Sequence, residues 1–365
     1  GNGEQTYNLK TLFQHDHPNA NNRRLIVEYT ANPLWYAVQA LPVLQEPRAN
    51  DAISLASALN ATATIAGLSA RYPQLKQVVE LWSLQEETQK GSLDSQQGLT
   101  GILLDETPWV IAAENEKKRI HNIALLFDEN RQADLLHRLE ESLAKLQHPD
   151  GSLSWYESMR GNSYITMNVA TLLLRGEHLN GLKEEFSSKL DVKLMLRYLF
   201  DEMGKNIAKD KAYLQQNGKR YYSGAYWLDY LNLCVDCNDL WLTDEIRSGI
   251  VYMLSCVEKD VHGLTLPNKA IAAVVFSKLN KQKQAEELLC SLREYLVETS
   301  EGISLQYPSN STYGYNEKMR THMMIMEAFE TIGTADKDLM SGMFRWLLGR
   351  KRLQDWGNPL ITTMA

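Results

Sequence analysis

Residues 130–151 read Asn130-Arg131-Gln132-Ala133-Asp134-Leu135-Leu136-His137-Arg138-Leu139-Glu140-Glu141-Ser142-Leu143-Ala144-Lys145-Leu146-Gln147-His148-Pro149-Asp150-Gly151. Leu135, Leu139, Leu143 and Leu146 recur at spacings of four, four and three, which lays one apolar stripe along one face of a helix. Asp128 or Asn130 can cap its start. Pro149-Asp150-Gly151 stops it, because proline cannot continue the helix and glycine accepts the left-handed turn that follows.

The same pattern extends outward in both directions. Helices are predicted near 164–175, 190–203, 224–235, 242–257, 268–279, 282–297, 317–332 and 337–349. With two or three before residue 128, the total is about twelve. The turns between them repeat loosely. Gln147–Trp155, Asp260–Leu266, Glu301–Leu305 and Gln354–Gly357 each join a polar helix end, a glycine free to take positive φ and an apolar or aromatic plug. Helix pairs joined in this way stack, and their irregular spacing favours a closed toroid over a strict solenoid. Only Arg23–Thr30 reads differently. Its alternating β-branched and aromatic residues predict a strand, ended by Asn32-Pro33 and needing a partner for its backbone groups.

Bulk composition excludes several functions. Of the 365 residues, 44% are hydrophobic and 23% charged, as in an ordinary globular protein. Net charge is −7 and the sequence pI about 5.7, so no basic face is expected to neutralise phosphates and no nucleic-acid partner is expected. No stretch approaches the roughly 18 uninterrupted apolar residues of a membrane helix, so no membrane insertion is expected of this chain. Four cysteines are too few for a disulfide scaffold at this size. The Gly-Asn-Gly start, and an end at Ala365 shortly after Trp356-Gly357-Asn358-Pro359, suggest a piece of a longer protein.

Three segments, taken together, resemble the bacterial branch of the alpha-2-macroglobulin family. The first is Asn32–Pro42. The second comprises Glu106–Trp109, Leu125–Asp128, Gln147–Trp155 and Met159–Gly161. The third is Arg345–Leu348 with Gln354–Asn358. The resemblance implies an all-α fold, an α/α toroid of about six inner and six outer helices. Residues 32–365 would be the thioester-type domain, truncated at its C-terminus, and residues 1–31 a strand-bearing linker from a preceding β-domain. It also implies a protease-trapping, lipoprotein-type parent chain in the periplasm or at the cell surface. The expected partners are other domains of that chain, and host or competitor proteases.

The family's chemistry rests on Cys-x-Glu-Gln, whose thiol and glutamine condense to a thioester. Only a thiol gives an acyl bond that transfers readily yet survives when buried. Here the corresponding stretch reads Gln45-Glu46-Pro47-Arg48-Ala49-Asn50-Asp51-Ala52-Ile53, with Asn50 or Asp51 at the cysteine position. Gly1-Asn2-Gly3-Glu4-Gln5 imitates the motif, but it lies upstream of the strand and also lacks the cysteine. The expectation is therefore a thioester-less, non-catalytic domain that needs no cofactor and no metal. It would act by conformational trapping or partner binding.

Other candidates are weaker. Cys234-Val235-Asp236-Cys237 is a lone CxxC without a second pair, so it reads as buried helix positions before it reads as zinc or redox chemistry. His15-Asp16-His17 sits in a polar loop, and no HExxH occurs among the eight histidines. Adjacent acidic pairs such as Glu140-Glu141 do not face one another on a helix. Trp155, Tyr156, Tyr164, Tyr222 and Tyr313 cluster in turns that open helices. They read either as packing of helix ends or as a recognition surface rich in the aromatic residues that anchor interfaces. The rival function is an enzyme on the same toroid. Terpene cyclases need DxDD or DDxxD, which is absent, and the prenyltransferase zinc pattern does not match Cys-x-Asp-Cys. A glycosidase needs two carboxylates across a cleft, about 6.5–9.5 Å apart for inversion. A deep central cleft with convergent carboxylates would favour it.

Overall fold

A computed structural model describes residues 38–74 (except 39, 48 and 73), 125–180, 190–237, 241–307, 314–334, 337–351 and 355–365. The chain is mostly helical, of the all-α class, with one two-stranded hairpin among the described residues. The described α-helices are α1 Leu41–Gln45, α2 Ala52–Arg71, α3 Glu129–Ala144, α4 Ser163–Asn180, α5 Val192–Asn217, α6 Leu228–Asp236, α7 Asp244–Asp260, α8 Leu266–Lys278, α9 Gln282–Arg293, α10 Tyr315–Ile332, α11 Lys337–Gly349 and α12 Pro359–Met364. Strands β1 Leu296–Thr299 and β2 Gly302–Leu305 pair antiparallel between α9 and α10, with Leu296 opposite Leu305. The strand expected over 23–30 lies outside the described residues.

Caps set the helix boundaries. Asp51, Asp128, Asp191 and, near the chain's end, Asn358 each accept from backbone N–H groups of the turn that follows. Gly218 and Gly333 end α5 and α10 in the left-handed conformation. Pro267 and Pro359 open α8 and α12, where the missing N–H costs nothing.

Burial divides the helices into two kinds. α2 is buried almost all round, through Leu55, Ala56, Ala58, Leu59, Ala61 and Ala63, and α8 is continuously buried from Ala270 to Phe276. α3 and α9 bury only one stripe, such as Ala285, Leu288, Leu289 and Leu292 on α9. A helix apolar all round lies inside, and one with a stripe covers it. α2 is also long and apolar enough to cross a membrane by length and composition, but 67% of its apolar window is buried inside the protein, as in a core helix. The contacts follow the same division. α2 packs on α4, α4 on α6, α6 on α8, α8 on α10, α10 on α12, and α12 on α2. α3 packs on α2, α5 on α4 and α7, α7 on α6, α9 on α8 and α10, and α11 on α10.

Three expectations need correction. α5 does not stop near 203 but runs to Asn217. α9 ends at Arg293, and Leu296–Leu305 is the hairpin rather than a helix end followed by a turn. Of the four glycines expected to take positive φ, Gly151, Gly302 and Gly357 do, whereas Gly263 sits in a 3₁₀ turn without it. At Gly302 the left-handed φ of 127° is doubled by steric need, since a Cβ would strike the Gly342 carbonyl of α11.

Candidate functional site

The segment between α3 and α4 begins with a turn that folds back on its own helix. The Ser154 amide donates to the Leu146 carbonyl at 3.0 Å, and the His148 amide to the Ser152 carbonyl at 2.8 Å. Gly151, at φ 92°, lies against the backbone of Leu194, where a side chain would not fit. The Ser152 hydroxyl and amide donate to Asp150 at 2.7 and 3.0 Å, and these bonds hold its carboxyl below the usual carboxylate range. Asn162 closes the segment. Its amide donates to Leu153 O, and its side-chain oxygen accepts from Tyr164 N and Ile165 N at the start of α4. His148 Nε2 donates to Met159 O at 3.1 Å across the loop.

Outside this frame stand Trp155, Tyr156, Met159 and Tyr164, exposed by 44, 46, 51 and 56%. Tyr222 is placed differently. It is half-buried, stacked on Tyr226 with ring centroids 4.0 Å apart, and its hydroxyl donates to Asn206 at 2.9 Å. It belongs to a second aromatic group, with Tyr221, Trp227 and Tyr252, at the turn before α6. That turn is pinned by the buried Asp210, which accepts from the Tyr221 and Tyr222 amides and the Tyr252 hydroxyl. Tyr313 lies outside the described residues.

Asn50 and Asp51, at the position the family resemblance pairs with the thioester, stand directly beneath the first aromatic turn. Asn50 is exposed. Asp51 accepts from Ile53 N at 3.1 Å, Ser54 N at 3.0 Å and the Ser54 hydroxyl at 2.5 Å. The Ala52 amide donates to Trp155 O at 3.0 Å. The first donors of α2 are thus all engaged by a carboxylate and by the aromatic turn. The cysteines sit elsewhere: Cys234 and Cys237 at the end of α6, Cys256 on α7 and Cys290 on α9. Burial pushes the Cys237 thiol up to about 12 and raises that of Cys234, so neither is poised as a thiolate. Among the described residues, no group of three His, Cys, Asp or Glu side chains could hold a metal ion.

A feature that sequence reading missed is a hollow of about 410 Å³ between α4, α6, α8, α10 and α12. Its far end is closed by charges that satisfy each other. Arg175 of α4 reaches Asp236 of α6 at 2.9 Å and Glu327 of α10 at 3.0 Å, and Lys278 of α8 reaches Asp236 at 2.6 Å. Burial opposes the charge on Arg175, but Glu327 and Asp236 outweigh it and raise its pKa. At the other end, Tyr164, Asp229 and Glu317 sit in the first turns of their helices, and Arg320 follows Glu317 along α10. Asp229 is exposed at the rim of the hollow; the protein packed around it raises its carboxyl, with Arg320 opposing in part. A signal for the hollow was present, since Glu317, Arg320, Met324 and Glu327 share one face of α10 at spacings of three, four and three. No known protein family and no curated protein matches the chain.

Proposed function

We propose that this chain is the thioester-less helical domain of a bacterial alpha-2-macroglobulin-like protein, and that it works by non-covalent docking rather than by acyl transfer. In this reading it is an α/α toroid. The succession of contacts α2–α4–α6–α8–α10–α12–α2, with α3, α5, α7, α9 and α11 packed outside, supports that architecture. The partners would be sister domains of the parent chain, and proteases met in the periplasm or at the cell surface.

The observation that carries the reading is the braced aromatic turn. Trp155, Tyr156, Met159 and Tyr164 stay about half exposed although the backbone beneath them is fixed at both ends. Rings held in this way lose little entropy on docking and bury a large apolar area, which is how interface anchors work. The turn also covers the start of α2, beside Asn50 and Asp51, the position that the resemblance pairs with the thioester cysteine.

The test places a photoreactive phenylalanine analogue at position 156 of the parent chain in its native cell. Irradiation should give a specific adduct, with a sister domain or with an added protease. The same analogue at Val251, an exposed position on α7, should give none. Equal labelling from both positions, or none from 156, would remove the docking reading.

A further inference from the structure

We propose that the hollow between α4, α6, α8, α10 and α12 binds a small zwitterion, an amino acid or short peptide with an apolar side chain, with its carboxylate at Arg320 and its ammonium at Asp229. This goes beyond docking through the aromatic turn and does not depend on it.

The side chains that remain unpaired in the hollow point to such a ligand. The floor charges Arg175, Asp236, Lys278 and Glu327 bond one another and offer little to a ligand. Arg320 differs, because its Nε is buried and has no hydrogen-bond partner among the described residues. That atom is closed off from the hollow, so a ligand would meet the guanidinium through its Nη groups, which form no hydrogen bond or ion pair among the described residues. Asp229 faces the same hollow, and no hydrogen bond or ion pair to it is formed among the described residues. Arg320 is near enough to act on its charge, yet no ion pair between the two is formed among the described residues. Two opposite charges that line one hollow without bonding each other match a ligand that carries both.

Simpler ligands fit less well. A plain carboxylate would satisfy Arg320 but would meet Asp229 and Glu317 on the same walls. A plain amine would satisfy the acids and leave Arg320 without an acceptor. Between the polar ends the walls are apolar, through Met167, Leu172, Ile271, Val274 and Met324, which suits an aliphatic side chain. The helical rise from Tyr164 to Arg175 makes the hollow about 16 Å deep, enough for a dipeptide.

Isothermal titration calorimetry on the whole chain tests this with four probes: leucine, leucyl-leucine, 4-methylpentanoate and isopentylamine. At least one of the two zwitterions should bind about tenfold or more tightly than either singly charged analogue. Arg320→Gln should abolish its advantage over isopentylamine, and Asp229→Asn its advantage over 4-methylpentanoate. Circular dichroism checks that the variants are folded, and the comparison of probes on the unaltered chain needs no variant. Neither zwitterion binding at millimolar concentration, or all four probes binding alike, would overturn the proposal. So would folded variants that keep the full preference.

Discussion

His322 lies inside the protein between α10 and α11. Its Nε2 donates to the Met343 carbonyl at 3.1 Å, its Nδ1 is buried without a partner among the described residues, and its ring packs against Trp346 at 4.4 Å between centroids. A second proton would place a charge where nothing receives it. Burial therefore lowers its pKa to about 4, and the Met343 carbonyl opposes this only in part. The unfolded chain binds that proton near pH 6.5, the folded chain near 4. Unfolding thus takes up a proton between these values, so the stability is fully present above about 6.5 and is lost as pH falls toward 4. The slope is about 1.4 kcal/mol per pH unit, reaching roughly 3 kcal/mol at about pH 4. Urea midpoints at about pH 7, 5 and 4 should fall more steeply for the native chain than for His322→Gln, which keeps a donor for Met343. Parallel curves would show that His322 does not carry the dependence.

At the scale of the elements, Asp236 is the joint. It receives Arg175 from α4 and Lys278 from α8, and Arg175 carries the link to Glu327 on α10. Asp236→Asn preserves the shape but leaves two cations facing a neutral amide. Both cations are about a third exposed, so water relieves part of the cost, and the loss should be about 2 kcal/mol in urea denaturation. The same variant in a Lys278→Met background should cost less, since one stranded charge is gone. Equal costs would mean that the two charges are not coupled. This joint was not legible in the sequence, because Arg175, Asp236, Lys278 and Glu327 come together only when four helices pack. The helices themselves were legible wherever leucines recur at three and four, as in α3. The polar end of α5, residues 204–217, has no such stripe and is helical through the propensity of its lysines, glutamines and alanines. Leu296–Thr299 is four residues long and continues the composition of α9, so nothing local marks it as a strand. Of the candidate site, the aromatic turn was readable from Pro149-Asp150-Gly151. Of the hollow, only the α10 face left a signal, through Glu317, Arg320, Met324 and Glu327; the rest left none, since the first turns of separate helices meet only in the fold.

For the molecule as a whole, the decisive region is where α12 meets α2. Trp356 is fully buried there against Met319 and Met323 of α10, Leu347 of α11 and Ile361 of α12, and its indole N–H donates to Leu347 O at 2.8 Å. α12 then packs on α1 and α2, at the opposite end of the described chain. If the helices form the proposed toroid, this contact joins the two ends, and weakening it should loosen both. Trp356→Ala removes one of the largest buried side chains and should cost about 3–5 kcal/mol. The distribution of that loss is more informative than its size. In a ring, amide hydrogen exchange should accelerate in α2 as well as in α11 and α12, because α2 loses the helix that covers one of its sides. In an open stack, α2 would keep the support of α3 and α4, and the loss would stay near the C-terminus. Exchange measured by mass spectrometry resolves these segments, and an unchanged α2 in a variant with fraying confined to α11 and α12 would refute the toroid.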